Sequence, residues 1–134
     1  MLLRLRLPAA LLLLSAATLL TTPRAVRAQD AALTPLVHIG NSYRATPNVT
    51  YLTVNGVASK LDVYQNRTAT APAPTYVWVH GGNWVGGSKE ASLLSLLPFF
   101  QMGWNVVNVD YRLVTTAPAP AAVEDCHCAL RWVV

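Results

Sequence analysis

The chain has 134 residues, of which 53% are hydrophobic and 12% charged, a composition that excludes an intrinsically disordered protein and corresponds to about one domain at most. Its formal net charge of +4 equals the charge of four arginines near the N-terminus, Arg4, Arg6, Arg24 and Arg27. Because the remaining residues carry equal numbers of basic and acidic side chains, charge gives no argument for a nucleic-acid partner or an anionic membrane.

Residues 1–28 are predicted to be a secretory signal peptide. Arg4 and Arg6 form its positive start, and an apolar run of about twelve residues follows at 9–20. This run is shorter than the roughly 20 residues that a membrane-spanning helix needs, so no stable membrane anchor is expected. Cleavage after Ala28 would release the protein into the periplasm or outside the cell.

Residues 29–47 are predicted to form an exposed lead-in, and residues 48–134 to form the N-terminal part of a folded domain. Two β-prone runs, Tyr51–Val54 and Ala58–Tyr64, flank Asn55-Gly56, a dipeptide that strongly favours a tight hairpin turn. Apolar and polar residues alternate in the second run. This alternation indicates a half-exposed antiparallel strand at the edge of a sheet.

Four further elements alternate between strand and helix. Thr75–Val79 and Asn105–Asp110 are short apolar runs, as expected for strands that are buried on both faces. One helix is expected from Ser88, its predicted cap, to Phe100, and another from about residue 120 onwards. This order predicts an α/β fold, in which a parallel β-α-β-α unit follows the antiparallel hairpin.

The two predicted helices also have expected faces and ends. Pro98 is expected to kink or split the first helix, and Gly103 is expected to end it. Its buried face is predicted from the leucines at positions 93, 94, 96 and 97. In the last helix, apolar residues recur at helical spacing at positions 122, 129, 130 and 133.

A glycine-rich turn, His80-Gly81-Gly82-Asn83-Trp84, follows the first buried strand. Without Cβ atoms, Gly81 and Gly82 can point their N–H groups at one place, which suits an oxyanion that develops during acyl transfer. His80 is expected to hold this turn through hydrogen bonds rather than to act as a base, and Trp84 to line or support the pocket. A turn without chemistry and a phosphate site at a helix N-terminus are the alternatives.

Cys126 and Cys128 are the only cysteines in the sequence. Side chains two positions apart on a helix point to different sides, so a disulfide between them is not expected. The Cys-His-Cys spacing at 126–128 is too close for a structural zinc site, which also needs more ligands. The sequence therefore predicts no metal site.

The segment from His80 to Trp84 resembles the HGG-x-W oxyanion loop of α/β-hydrolase esterases, including the hormone-sensitive-lipase-like and feruloyl-esterase-like groups. Three further segments resemble the same family in the same order: Lys60–Tyr64 (KLDVY), Val109–Leu113 (VDYRL) and Pro118–Val133. The resemblance implies that Gly81 and Gly82 form an oxyanion hole, with His80, Asn83 and Trp84 supporting the loop and pocket. Asn83 stands where the family loop often has a third glycine.

The resemblance also shows what the chain lacks. The nucleophile of the family lies in G-x-S-x-G and is followed by an acid and a histidine, but no G-x-S-x-G occurs in these residues. Ser42 and Ser88 lie in near matches that end in the wrong residue. The resemblance therefore implies a partial α/β-hydrolase fold, truncated before the nucleophile elbow, with the triad beyond Val134 and no activity of the chain alone.

For the complete protein, the resemblance implies a secreted serine carboxylic ester hydrolase that acts on small-molecule esters without a cofactor. Two alternatives stay open: a non-catalytic secreted module derived from a hydrolase, and part of an amidase or peptidase on the same scaffold. Acyl-chain length, oligomeric state and glycosylation of the sequons at Asn48 and Asn66 do not follow from the sequence.

Overall fold

The computed structural model describes residue 34 and residues 37–134, so the predicted signal peptide lies outside the described residues. The strands are β1 (Tyr43–Val54), β2 (Val57–Asn66), β3 (Thr75–Val79) and β4 (Asn105–Val109); a 3-10 helix spans Glu90–Leu96, α1 spans Leu97–Gln101 and α2 spans Pro120–Val133. The sheet order is β1-β2-β4-β3. The β3–β4 pair is parallel and the other two pairs are antiparallel, which confirms the predicted antiparallel hairpin followed by a parallel strand pair.

Helical segments cover both faces of this sheet. On one face Leu96 and Phe100 pack with Tyr43 and Val106. On the other face Ala129 of α2 packs with a cluster of strand residues, namely Leu61, Val107 and Val109. The described residues thus form three layers, and burial of these apolar side chains, at about 25 cal/mol per Å², holds the layers together.

The β1–β2 hairpin turns at Asn55-Gly56, as predicted. Both residues have positive φ, 52° and 80°, which is the backbone that a two-residue hairpin turn with a type I′ geometry requires. However, β1 begins at Tyr43, not at Tyr51. The predicted lead-in at 29–47 is therefore too long, because Tyr43 is buried against Phe100 and its hydroxyl donates to the Phe100 carbonyl oxygen at 3.0 Å.

β2 lies inside the sheet, so the predicted edge position is wrong. Its residues 61–64 pair with residues 106–109 of β4, and Leu61 is fully buried. Asp62, which the alternating pattern placed in solvent, is only 6% exposed because its carboxylate pairs with the ammonium of Lys89. A strand face that carries a buried ion pair therefore shows the same alternation of polar and apolar residues as a face exposed to solvent.

The two strands predicted to be buried on both faces differ in the structure. β4 is buried along almost its whole length, as expected, because it lies inside the sheet and helical segments cover both of its faces. β3 is the outermost strand on its side of the described sheet, and Val79 at its end is 40% exposed. The prediction is therefore wrong for β3 among the described residues.

The helix predicted from Ser88 to Phe100 is divided into a 3-10 helix and α1. The break after Leu96 lies next to Pro98, where the sequence predicted a kink or a split. Leu96 is fully buried, but Leu93 and Leu94 are 42% and 74% exposed, so the predicted leucine face is wrong for these two. Residues two apart point to different sides of a helix, so Leu94 cannot share the face of Leu96.

α1 ends at a glycine, as predicted. Gly103 has a φ of 78°, and its N–H donates to the Phe100 carbonyl oxygen at 3.0 Å. The N–H of Trp104 donates to the Phe99 carbonyl oxygen at 3.1 Å, which completes the Schellman arrangement of a helix end. This turn directs the chain into β4, the strand that carries part of the candidate site.

α2 begins at Pro120, as predicted, and buries Ala122 and Ala129 against the sheet. Leu130, which was predicted on the buried face, is 52% exposed. Cys126 and Cys128 are free thiols. None of the helices within the described part of the chain has the length and hydropathy of a bilayer span.

Candidate active site

The glycine-rich loop after β3 folds back on itself with backbone packed against backbone. Gly82 has a φ of 128°, and a Cβ placed there would lie 2.1 Å from the Gly86 carbonyl oxygen. Gly87 has a φ of 96°, and its Cβ would lie 2.4 Å from the Gly81 carbonyl oxygen. Because no larger side chain fits at either position, Gly82 and Gly87 set the path of the loop.

The carbonyl group of Gly82 is bound within this loop, whereas the N–H groups of Gly81 and Gly82 are not. The Gly82 carbonyl oxygen accepts from the N–H groups of Val85 at 3.0 Å and Gly86 at 3.2 Å. The N–H groups of Gly81 and Gly82 donate no hydrogen bond to the residues that the structure describes, and both glycines are exposed. Two adjacent amides are thus available to an acceptor from outside the described chain.

His80 anchors the start of the loop. Its side chain is 4% exposed, its ring stacks on that of Tyr111 at 4.4 Å between centroids, and the Tyr111 hydroxyl donates to the His80 carbonyl oxygen at 3.2 Å. Nδ1 lies 2.8 Å from the Gly81 carbonyl oxygen, which can only accept, so Nδ1 carries a proton. Nε2 faces Asp110 rather than the cleft beside Gly81 and Gly82.

Asp110 lies directly after β4 and contacts both ends of the loop. Its Oδ1 atom is 3.4 Å from Nε2 of His80 and accepts from the N–H of Lys89 at 2.6 Å. Burial raises the pKa of the Asp110 carboxyl above its ordinary value, while the hydrogen bond from Lys89 opposes this rise. The single carboxylate of Asp110 therefore joins the entry and the exit of the loop.

Asn83 and Trp84 form the tip of the loop and open it towards α2. Both have positive φ, 52° and 64°, and the Trp84 carbonyl oxygen accepts from the N–H of Val114 at 2.9 Å. Trp84 is 49% exposed. Residues 80–84 line an open cleft of about 380 Å³, whose opposite wall is formed by Tyr111 and by the α2 residues Ala122, Val123, Cys126 and His127.

A family model, BD-FAE, matches residues 61–134, which is more than half of the chain and contains both the loop and α2. The chain belongs to the BD-FAE family. This family assignment confirms the resemblance to α/β-hydrolase esterases that the segments from β2 to α2 predicted.

Several relatives of this BD-FAE chain are named as esterases. Carboxylic ester hydrolase LipN of Mycobacterium tuberculosis is 36% identical over 87 residues, which are 63% of this chain and 23% of LipN. Esterase LipW of Mycobacterium marinum superposes with a TM-score of 0.59 at 28% identity, over 81% of this chain and 33% of LipW. The chain thus spans about a quarter of the length of LipN and a third of the length of LipW.

A third comparison supports the fold alone. Esterase 2 of Thermogutta terrifontis has a TM-score of 0.58 at 24% identity, over 69% of this chain and 33% of that protein. The BD-FAE chain therefore has a partial α/β-hydrolase fold. Within the described residues, no group of three or more His, Cys, Asp and Glu side chains is arranged to hold a metal ion.

An ion pair between two of the family-like segments was not predicted from the sequence. Asp125 of α2 is fully buried and accepts from Arg112 at 2.9 Å from Nε and 2.6 Å from Nη2. Its Oδ2 atom also accepts from the N–H of Arg112 at 2.9 Å. Each of the two segments carries one of the two charges. Their spacing along the sequence, however, does not show that these two side chains form an ion pair.

Proposed function

We propose that the protein is a carboxylic ester hydrolase, and that the N–H groups of Gly81 and Gly82 form its oxyanion hole. The observation that carries this proposal is that both amides lie unpaired on an exposed loop beside a cleft, in a chain of the BD-FAE family. When an ester carbonyl is attacked, its oxygen gains negative charge. Each N–H aimed at that oxygen stabilises the transition state by about 3 kcal/mol.

The nucleophile is proposed to come from a segment of the complete protein that this sequence does not include. Such a serine, with its proton taken by a histidine, would attack the ester carbonyl of a small-molecule substrate. In this scheme His80 is a support of the loop, because its ring is buried and both ring nitrogens face groups of the protein. Asn83 and Trp84 shape the mouth of the cleft, and this chain alone has no activity.

We also propose that residues 1–28 export the protein. The support is the order of the segments, in which two arginines precede an apolar run of about twelve residues. Mass spectrometry of the protein recovered from outside the cytoplasm would then find Gln29 as the first residue. Recovery of a product that retains Met1 would contradict this.

The proposed oxyanion hole is tested in the protein expressed from its complete reading frame. Gly82→Ala places a Cβ against the Gly86 carbonyl oxygen, so the loop must move and kcat for nitrophenyl esters should fall by about 100-fold. Gly86→Ala is the matched control from the same loop, because a Cβ there meets nothing within 4 Å, and it should leave kcat within about threefold.

Three results would count against these proposals. If the unaltered complete protein cleaves no nitrophenyl ester of short or long acyl chain, it is not an ester hydrolase of the proposed kind. If it cleaves anilides faster than the matching esters, the amidase alternative is favoured instead. Equal losses in Gly82→Ala and Gly86→Ala would show that the loop, but not its amide geometry, matters for the reaction.

A further inference from the structure

Lys89 lies at the exit of the glycine loop and its charged group is buried. The side chain is 3% exposed, and Nζ lies 3.1 Å from Oδ1 of Asp62 on β2. Nζ also donates to the carboxylate of Glu90. Lysines are almost never fully buried unless they are paired, so two carboxylates account for this one.

The backbone of Lys89 is bound to the sheet as well. Its N–H donates to Oδ1 of Asp110 at 2.6 Å, and its carbonyl oxygen accepts from Nδ2 of Asn108 at 2.7 Å. Asn108 belongs to β4 and is 1% exposed. Lys89 is therefore held by β2 through its side chain and by β4 and the residue after it through its backbone.

These contacts bear on the amides of the loop because the two loop ends meet at one carboxylate. Asp110 contacts His80 at the entry and Lys89 at the exit. Gly87, two residues before Lys89, lies against the Gly81 carbonyl group without room for a Cβ. Gly87 therefore links the exit of the loop, near Lys89, to the backbone of Gly81 by direct packing.

We propose that Lys89 is a positioning residue for ester hydrolysis: its buried ammonium, paired with Asp62, fixes the exit of the loop and so the direction of the Gly81 and Gly82 N–H groups. The inference rests on the proposed function of those amides. Compared with apolar side chains of similar volume, a buried ion pair contributes little net stability. We therefore expect the Lys89–Asp62 pair to affect the direction of the loop amides more than the Tm.

Three variants of the complete protein separate positioning from stability. Lys89→Met leaves Asp62 buried without its cation, and its Tm should fall by about 5 °C or more. In Lys89→Met/Asp62→Asn both charges are gone, while an acceptor remains for the Asn48 N–H that Asp62 binds at 2.8 Å. This double variant should recover most of the Tm, yet its kcat should stay about 10- to 100-fold low with KM nearly unchanged.

Lys60→Met is the matched control. Lys60 lies two residues before Asp62 in β2 and is the only other lysine of the sequence. Its Nζ contacts the exposed Thr50 hydroxyl instead of a buried carboxylate. The kcat of the Lys60→Met variant should equal that of the wild type. A double variant whose kcat recovers together with its Tm would overturn the proposal, as would a kcat of Lys89→Met equal to that of the wild type.

Hydrogen exchange of the loop amides provides a readout without substrate. In the double variant, which should recover most of the wild-type Tm, the amides of a peptide covering residues 80–88 should exchange faster than in the wild type. Unchanged exchange would overturn the positioning role. If the wild type hydrolyses no ester, the proposed function fails. The exchange result still decides whether Lys89 fixes the loop.

Discussion

Lys89 and Glu90 are adjacent in the chain but lie in opposite environments. The side chain of Lys89 is 3% exposed, whereas that of Glu90 is 66% exposed. The hydrogen bond from Lys89, together with bonds from the Glu90 backbone and Ser88, lowers the pKa of Glu90 to about 2. Burial opposes the charged form of Lys89, but hydrogen bonds to Glu90 and Asp62 outweigh burial and raise its pKa. Both groups are therefore charged at neutral pH.

The depressed pKa of Glu90 predicts how stability depends on pH. Because this pKa is about 2 in the folded chain and 4.5 ordinarily, ionised Glu90 stabilises the fold above about pH 4.5 and this contribution is lost as pH falls towards 2. Glu90→Gln should therefore have a slightly lower Tm than the wild type at pH 7, and the difference should vanish near pH 2. Thermal denaturation across this range measures it; parallel curves would contradict the prediction.

The residues of the candidate site divide into those that local sequence predicts and those that it cannot. His80 to Trp84 are contiguous, and two adjacent glycines after an apolar strand are visible in the sequence itself. The partners of Lys89 are not, because Asp62 and Asp110 lie 27 and 21 positions away. Only the packing of β2 beside β4 brings these carboxylates to the end of the loop.

At the scale of elements, the alternating pattern of β2 correctly predicts a strand but wrongly places it at the edge of the sheet. The alternation of Leu61 and Val63 with polar residues is real, since the two apolar side chains pack with the cluster beneath α2. On the opposite face, Asp62 is covered by Lys89, the residue before the 3-10 helix, and Tyr64 packs against Phe100 of α1. Alternation reports two different faces, but not what covers each of them.

Two leucines of the 3-10 helix differ in burial and therefore allow a matched pair of substitutions. Leu96 is fully buried against the sheet and Leu94 is 74% exposed. Leu96→Ala should lower the free energy of unfolding by about 2–5 kcal/mol, since it removes apolar contacts and leaves a cavity. Leu94→Ala, the matched control, should change it by less than about 0.5 kcal/mol. Urea denaturation of both variants measures the difference; similar losses would mean that Leu94 is also covered in the complete protein.

At the scale of the whole molecule, the described chain exposes apolar surface at β3 and on α2. β3 is an outermost strand of the described sheet, and Val79 at its end is 40% exposed. On α2, Val123, Leu130 and Trp132 are 51%, 52% and 45% exposed. Both an unpaired strand edge and exposed apolar side chains favour association with other chains. Since LipN and LipW are three to four times longer than the matched part, we expect further elements of the complete protein to cover these surfaces.

The last prediction follows from that surface. Residues 29–134 produced alone should associate and show no single cooperative thermal transition, because the exposed face of α2 and the edge of β3 lack partners. The complete protein, measured at the same concentration by scanning calorimetry and light scattering, should melt cooperatively as a dispersed species. A sharp, reversible transition of a monomeric 29–134 chain would contradict this expectation. It would show that three layers around Leu61 and Leu96 suffice for folding, and would favour an independent non-catalytic module over a part of an enzyme.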